Sequence, residues 1–380
     1  MVIRLYIFLF TALILSSSVT VKAFPVMTTE NQTILKEKEK VRQFTIVEND
    51  TLSYTLQLAL DERGKPQYFF RNIFTPVCYT NECKPVYINF YWDLLGNYLR
   101  YEMPKGKILT KVDHDEFEEK DYQKLADILS RPNSIFADLK MEDLLTSGTD
   151  SLTSDVDAKT GATLKTIKND VIDGAVYTCF TLWHIAYGKQ VIKEMNKITN
   201  SYLDESLLHA FLASNNYHYQ YRAMEEVMDK TGSIKKTFEK DIENVIAGKN
   251  LFTARTALQK TSPDFFQNTM RQNWLWKLNQ ISSYPMQVAI LKKMATMAIQ
   301  PVLLQEIASG ITQSNSEQFK LKMAILSKQN KLPDPVLNEL GKALQHEQYA
   351  PDVYNLLMGL NPNAPIIKAK LKQYETDQSN

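Results

Sequence analysis

Val288-Ala289-Ile290-Leu291 returns in altered form along the second half of the chain. Its counterparts are Tyr221-Arg222-Ala223-Met224, Arg255-Thr256-Ala257-Leu258, Met323-Ala324-Ile325-Leu326 and Asn355-Leu356-Leu357-Met358. Their central positions 223, 257, 289, 324 and 356 lie 34, 32, 35 and 32 residues apart. Each is preceded by a second amphipathic stretch, such as 204–212, 238–246, 303–311 and 336–344. A period in the low thirties with two helices per unit predicts an α-solenoid over 189–374, because one such unit cannot bury its apolar face without neighbours. The competing arrangement is an irregular helical bundle. Tyr217-His218-Tyr219-Gln220-Tyr221 reads as an aromatic cluster between two helices, and 375–380 as a disordered tail.

Upstream the pattern changes from helical to strand-like. Phe44-Thr45-Ile46-Val47 is rich in β-formers, and Leu52, Tyr54, Leu56, Leu58 and Leu60 alternate at period 2. Residues 85–92 and 98–101 flank Asp93-Leu94-Leu95-Gly96-Asn97, which reads as a hairpin with glycine in its turn. Tyr122, Leu125, Ala126 and Leu129 follow at helical spacing. Residues 146–162 are small and polar and read as a loop. One long helix is expected from Leu164 to Tyr187, with Gly188 as its C-cap. The resulting fold class is an α+β domain over 43–188 followed by an all-α helical-repeat domain. The latter resembles HEAT or tetratricopeptide arrays in plan without the consensus of either.

The N-terminus points to export. Arg4 precedes the apolar run Leu5 to Leu15, and Val21-Lys22-Ala23 fits a small-x-small cleavage site, so 1–23 reads as a signal peptide. The run is shorter than the ~20 residues a membrane span needs. Residues 24–42 are polar and read as a linker. The mature chain is expected in the periplasm or outside the cell, either soluble or resting on a membrane surface. There Cys78 and Cys83 can close a small disulfide loop, a structural staple in the ordinary case and a redox pair in the other. Cys179 reads as a buried small hydrophobe.

Composition removes several classes. The chain has 380 residues, with 44 Lys+Arg against 43 Asp+Glu, which argues against a strongly basic nucleic-acid binder. Three Cys are too few for a disulfide scaffold, and twelve Gly are few for a glycine-rich dinucleotide fold. There is no G-x-G-x-x-G, Walker loop, C-x-x-C, H-E-x-x-H or G-x-S-x-G. Asp113-His114-Asp115-Glu116 has metal-binding residue types, but no second His stands at ligand spacing, so an acidic helix start is the simpler reading.

One motif carries chemistry. Asp157-Ala158-Lys159-Thr160-Gly161-Ala162-Thr163 resembles the D-x-x-[ST]-G-A-[ST] stretch of FMN-binding domains, found in sodium-pumping quinone reductases, related ferredoxin-linked complexes and exported electron-transfer flavoproteins. The resemblance covers seven residues. It implies that Thr163 carries FMN through a phosphoester, and that an exported flavin transferase recognises Asp157, Thr160, Gly161 and Ala162. The residues suit that role: Gly161 lets a bulky partner approach the backbone. Thr163, placed where the long helix would begin, could offer the phosphate free N–H groups and a positive dipole end. Lys159, Lys165 and Lys168 add positive charge, and Tyr177, Trp183, Tyr87, Tyr91 and Trp92 could line an isoalloxazine pocket.

The expected function is therefore an exported flavoprotein that transfers electrons, with an unidentified redox protein docked on the helical repeats. It is expected to act as a carrier rather than as an enzyme that turns over a substrate. The alternative is a non-redox binding or scaffold protein whose FMN-binding-like domain is degenerate. A third reading is a periplasmic enzyme built around a cleft of the aromatic hairpin.

Overall fold

The computed structural model describes residues 39–77, 84–111, 114–141, 171–329 and 331–378. The chain divides into two compact units, Met1–Lys193 and Glu194–Asn380.

The first unit is built on a five-stranded antiparallel meander with strands in chain order. The strands are β1 (Lys40–Val47), β2 (Ser53–Leu60), β3 (Pro66–Thr75), β4 (Val86–Trp92) and β5 (Tyr98–Glu102). β1 begins inside the stretch expected to be linker. β3 had no expectation of its own: Tyr68-Phe69-Phe70 is a continuous aromatic run without alternation, and only the register with β2 and β4 sorts it. Leu58, Phe69 and Trp92 lie opposite one another and place one apolar face, while Ala59, Phe70 and Tyr91 fall on the other. The β4–β5 turn forms as expected. Gly96 takes φ +81, and the Asp93 side chain accepts from the backbone N–H groups of Leu95 and Asn97.

The first face is covered by α1 (Glu119–Leu129) and α2 (Val176–Ala186). The fully buried Trp92 donates its indole N–H to the Ala186 carbonyl at 2.7 Å, and the Tyr101 hydroxyl donates to the Tyr122 carbonyl at 2.9 Å. The expected continuous helix 164–187 is corrected. Val171 to Ala175 are not helical, an Asp173-Gly174 turn with Gly174 at φ +72 precedes the helix, and α2 starts at Val176. The apolar periodicity of Val171 and Ile172 reflects burial outside a helix: both side chains are buried. Likewise, α1 does not start within 114–117 but at Glu119. His114 stands at φ 68, Thr110 bridges Glu116, and Glu118 caps α1 through a capping box with Asp121.

α3 (Lys189–Ser201) carries the boundary between the units. The second unit continues as α4 (Glu205–Ala213), α5 (Tyr217–Val227), α6 (Glu239–Ile246), α7 (Leu251–Lys260) and α8 (Thr269–Ile281). Then come α9 (Tyr284–Met294), α10 (Pro301–Ser309), α11 (Ser316–Ser327), α12 (Asp334–Ala343), α13 (Ala350–Leu360) and α14 (Pro365–Gln378). Sequence chemistry sets their starts. Asp204, Asn216, Asn250, Asn268 and Asn315 accept from first-turn backbone N–H groups. Proline occupies the first turn of α9, α10, α12 and α13, where its missing N–H costs nothing. Tyr217–Tyr221 is the first turn of α5 rather than a link between helices, and Tyr219 stacks on Phe211 at 4.3 Å. α14 runs past the expected end at 374, because the Tyr354 hydroxyl donates to Glu375 and the Tyr354 ring packs on Tyr374.

Each helix packs on the next as a pair: α4 on α5, α6 on α7, α8 on α9, α10 on α11, α12 on α13. Contacts also run from pair to pair, α5–α7–α9–α11–α13 along one row and α8–α10–α12–α14 along the other. The pair-to-pair bonds repeat at one period. Lys293 of α9 donates to the Gln259 and Thr261 carbonyls at the end of α7, and Lys328, beyond the end of α11, donates to the Ala295 carbonyl just after α9. These ammonium groups meet the negative ends of the preceding helices. Among the described residues no helix is long and apolar enough to cross a membrane.

Candidate functional site

The flavin motif Asp157, Thr160, Gly161, Ala162, Thr163, together with Lys165, lies outside the described residues, as do Cys78 and Cys83. Tyr177 and Trp183 are described, both on α2. Six residues apart on a helix, they project about 120° from each other. Trp183 is only 4% exposed; its indole N–H donates to the Arg131 carbonyl at 3.0 Å, and its ring packs on Phe136, His184 and Tyr187. Tyr177 is half-buried. Of the hairpin aromatics, Trp92 and Tyr91 are buried on opposite faces of the sheet, while Tyr87 is 38% exposed, paired with Phe74 at 4.5 Å under the Lys107 ammonium.

The titratable groups around α2 are shaped by burial. Desolvation pushes the Cys179 thiol up to about 12, leaving it protonated and inert. Burial pulls His184 below the ordinary histidine range, against a smaller opposing effect of the Phe136 backbone. Its Nε2 is buried without a hydrogen-bond partner. His209 Nδ1 lies 2.9 Å from Asp241 Oδ2 and joins α4 to α6. No group of three or more His, Cys, Asp and Glu among the described residues is placed to hold a metal ion.

The arrangement with the most chemical content is in the second unit. Between the α8–α9 pair and the α10–α11 pair lies a crevice of about 550 Å³. Its floor is Trp276 and Leu291, both buried. Asn279 and Gln287 are fixed: the Asn279 amide donates to the Gln287 carbonyl, and Gln318 donates to Gln287 Oε1 at 2.8 Å. Gln280 and Gln313 line the same crevice with exposed amides. Lys322 reaches in from α11 and donates to the Gly310 carbonyl at 2.9 Å, with its Nζ 6.0 Å from the Trp276 ring centre. Burial pulls the Lys322 ammonium below the ordinary lysine range. Lys277 and Glu306 complete the charged groups of the lining.

Sequence reasoning did not single out these residues. α8 had no named expectation, and glutamines scattered from 280 to 318 carry no motif. They converge only because adjacent helix pairs stack with a one-repeat offset. The recurring anchors gave the stacking, but the crevice needs the side chains.

Compared with family models, with curated proteins and with solved structures, the chain matches none.

Proposed function

We propose that the chain is an interaction protein in which the helix pairs of the second unit form a short α-solenoid that holds an extended polypeptide segment in the crevice between α8–α9 and α10–α11. One observation carries this reading: the crevice presents amide side chains over an aromatic floor. Amides donate and accept at once, as a peptide main chain does, so Gln280 and Gln313 can pair with an extended backbone whatever its side chains. An open, polar lining suits a peptide better than an apolar cofactor, which calls for enclosure. The test is selection of random dodecapeptides against the full chain. Enriched peptides are expected to bind the parent protein and to lose about tenfold in affinity against Gln280→Ala/Gln313→Ala, whose exposed sites leave the unfolding midpoint unchanged. Peptides that bind this variant equally well, or no enrichment at all, would overturn the reading.

A second reading keeps the motif. In it the chain is exported, a flavin transferase attaches FMN to Thr163, and the repeats dock an unidentified redox protein. It is supported by Asp157 to Thr163 and by the export-like N-terminus. The single helix expected from 164 through Tyr187 is interrupted at Val171 to Ala175, and Thr163 itself lies outside the described residues. Intact mass and visible absorbance of protein purified from its own host decide it. A covalent flavin mass on the peptide containing Thr163, lost in Thr163→Ala, would establish this reading; colourless protein of unmodified mass would remove it.

A further inference from the structure

The crevice is lined by two lysines, Lys277 and Lys322, against one carboxylate, Glu306. Lys322 is half-buried, and its ammonium meets the Gly310 carbonyl and the Trp276 ring rather than a carboxylate. Its ammonium has three N–H donors, and the Gly310 carbonyl takes one. Lys293, on the neighbouring helix α9, by contrast gives bonds to two carbonyls. Lys277 lines the crevice without an ion-pair partner among the described residues, against a single acidic side chain, Glu306. A cation held against Trp276 and partly stripped of water interacts more strongly with an incoming anion than an exposed one does. The amides beside it are the groups proposed above to hold a peptide main chain.

We infer that this crevice selects peptide segments bearing a carboxylate, which docks on the free N–H groups of Lys322 while Gln280 and Gln313 hold the main chain. The inference rests on the peptide-binding reading and adds the chemistry that would choose among peptides. The carboxylate can come from a C-terminus or from a glutamate side chain. No covalent step is involved.

The test uses the full chain grown with ¹³C-labelled lysine, which leaves the ammonium groups unmodified, so that the Lys322 Cε resonance, assigned through Lys322→Arg, reports occupancy. Three probes are titrated to about 10 mM: acetyl-tetra-alanine with a free C-terminus, the same peptide amidated, and acetyl-Ala-Glu-Ala-Ala-amide. A saturable shift is expected with the free acid, with the glutamate peptide or with both, at least tenfold tighter than with the amidated tetra-alanine. Which of the two binds identifies the source of the carboxylate. Lys322→Met, which keeps the aliphatic stem, is expected to erase the preference, read on the Trp276 indole resonance, and Lys322→Arg to keep it. If the Met variant fails to fold, Gly310→Ala serves: its added methyl would stand 3.2 Å from Nζ and shift the ammonium slightly without removing it, so the preference is expected to weaken rather than vanish, and an unchanged preference would count against the inference. Equal binding of all three peptides would overturn the carboxylate preference and leave the peptide groove standing. No saturable shift with any of the three would overturn both.

Discussion

The sheet-bearing unit and the helical unit are held together over different distances along the chain. In the first, the bonds that close the core join residues far apart in sequence: Trp92 to Ala186 across 94 positions, Tyr187 to Leu129 across 58, Trp183 to Arg131 across 52. In the second they recur near one repeat: Lys293 to Gln259 across 34, Lys328 to Ala295 across 33, Tyr349 to Ser314 across 35. A core closed by long-range contacts forms as a whole, because each loop closure is repaid only when the rest is in place. A row of helix pairs whose main contacts are with adjacent pairs is expected to lose stability locally and in steps. The same difference bears on function. The stack presents a crevice between pairs, whereas the described aromatics of the sheet are mostly spent on each other.

The largest expected effect tests the first half of that contrast. Trp92→Ala removes a fully buried indole and orphans the Ala186 carbonyl, at a cost of about 3–5 kcal/mol. Hydrogen exchange should show β2 to β5, α1 and α2 losing protection together, while α9 and α11 keep theirs. Loss of protection in α9 and α11 by the same amount would break the contrast.

Ile290→Ala makes the matching cavity in the stack, at a fully buried position of α9, for about 2–5 kcal/mol. Protection should fall most in α7, α8, α9 and α11, which touch α9, and fade toward α4 and α14. A uniform drop from α4 to α14 would mean that the stack is one cooperative unit after all.

The two units also differed in how much their sequences disclosed. The anchors 223, 257, 289, 324 and 356 all fall within helices of the row α5–α7–α9–α11–α13, each of which packs on the next in the row and so meets a similar packing requirement. In the sheet, β2 and the β4–β5 hairpin were legible from alternation and a glycine turn. β3 was not, since Phe69 and Phe70 are both buried on opposite faces and erase the period. The helix expected from 164 failed for the reverse reason: Val171 and Ile172 keep helical spacing with the residues of α2 but sit before a Gly174 turn. The crevice was illegible because Gln280, Gln313 and Lys322 look like ordinary solvent-facing residues until two pairs are stacked.

A smaller effect probes a single stitch of the stack. Lys293→Met keeps the aliphatic stem and removes the donors to Gln259 and Thr261, costing about 1–2 kcal/mol. Thermal unfolding should shift down by a few degrees, with exchange rising first at the end of α7. An unchanged midpoint would show these bonds to be replaceable by water and would weaken the role of lysine in linking neighbouring pairs.

The smallest effect returns to the sheet unit and depends on pH. Asp121, buried in the first turn of α1, lies 2.7 Å from the Lys111 ammonium and accepts from the Glu118 N–H. Burial alone would raise its pKa, but the bonds to Lys111 and Glu118 and the charges of Lys111 and Lys120 outweigh burial and hold it below the ordinary aspartate value. A carboxyl whose folded pKa is depressed stabilises above its unfolded value, near 3.9, and loses that contribution as pH falls through the folded one. Asp121→Asn should therefore cost about 0.5–1 kcal/mol at neutral pH, with the deficit constant above about pH 5 and shrinking below about pH 4. Because the sheet unit closes through long-range contacts, the deficit should appear equally in α1 and in β5, whose Tyr101 is bonded to Tyr122. A deficit confined to α1 would show that helix opening independently of the sheet, in the stepwise manner assigned here to the helical stack.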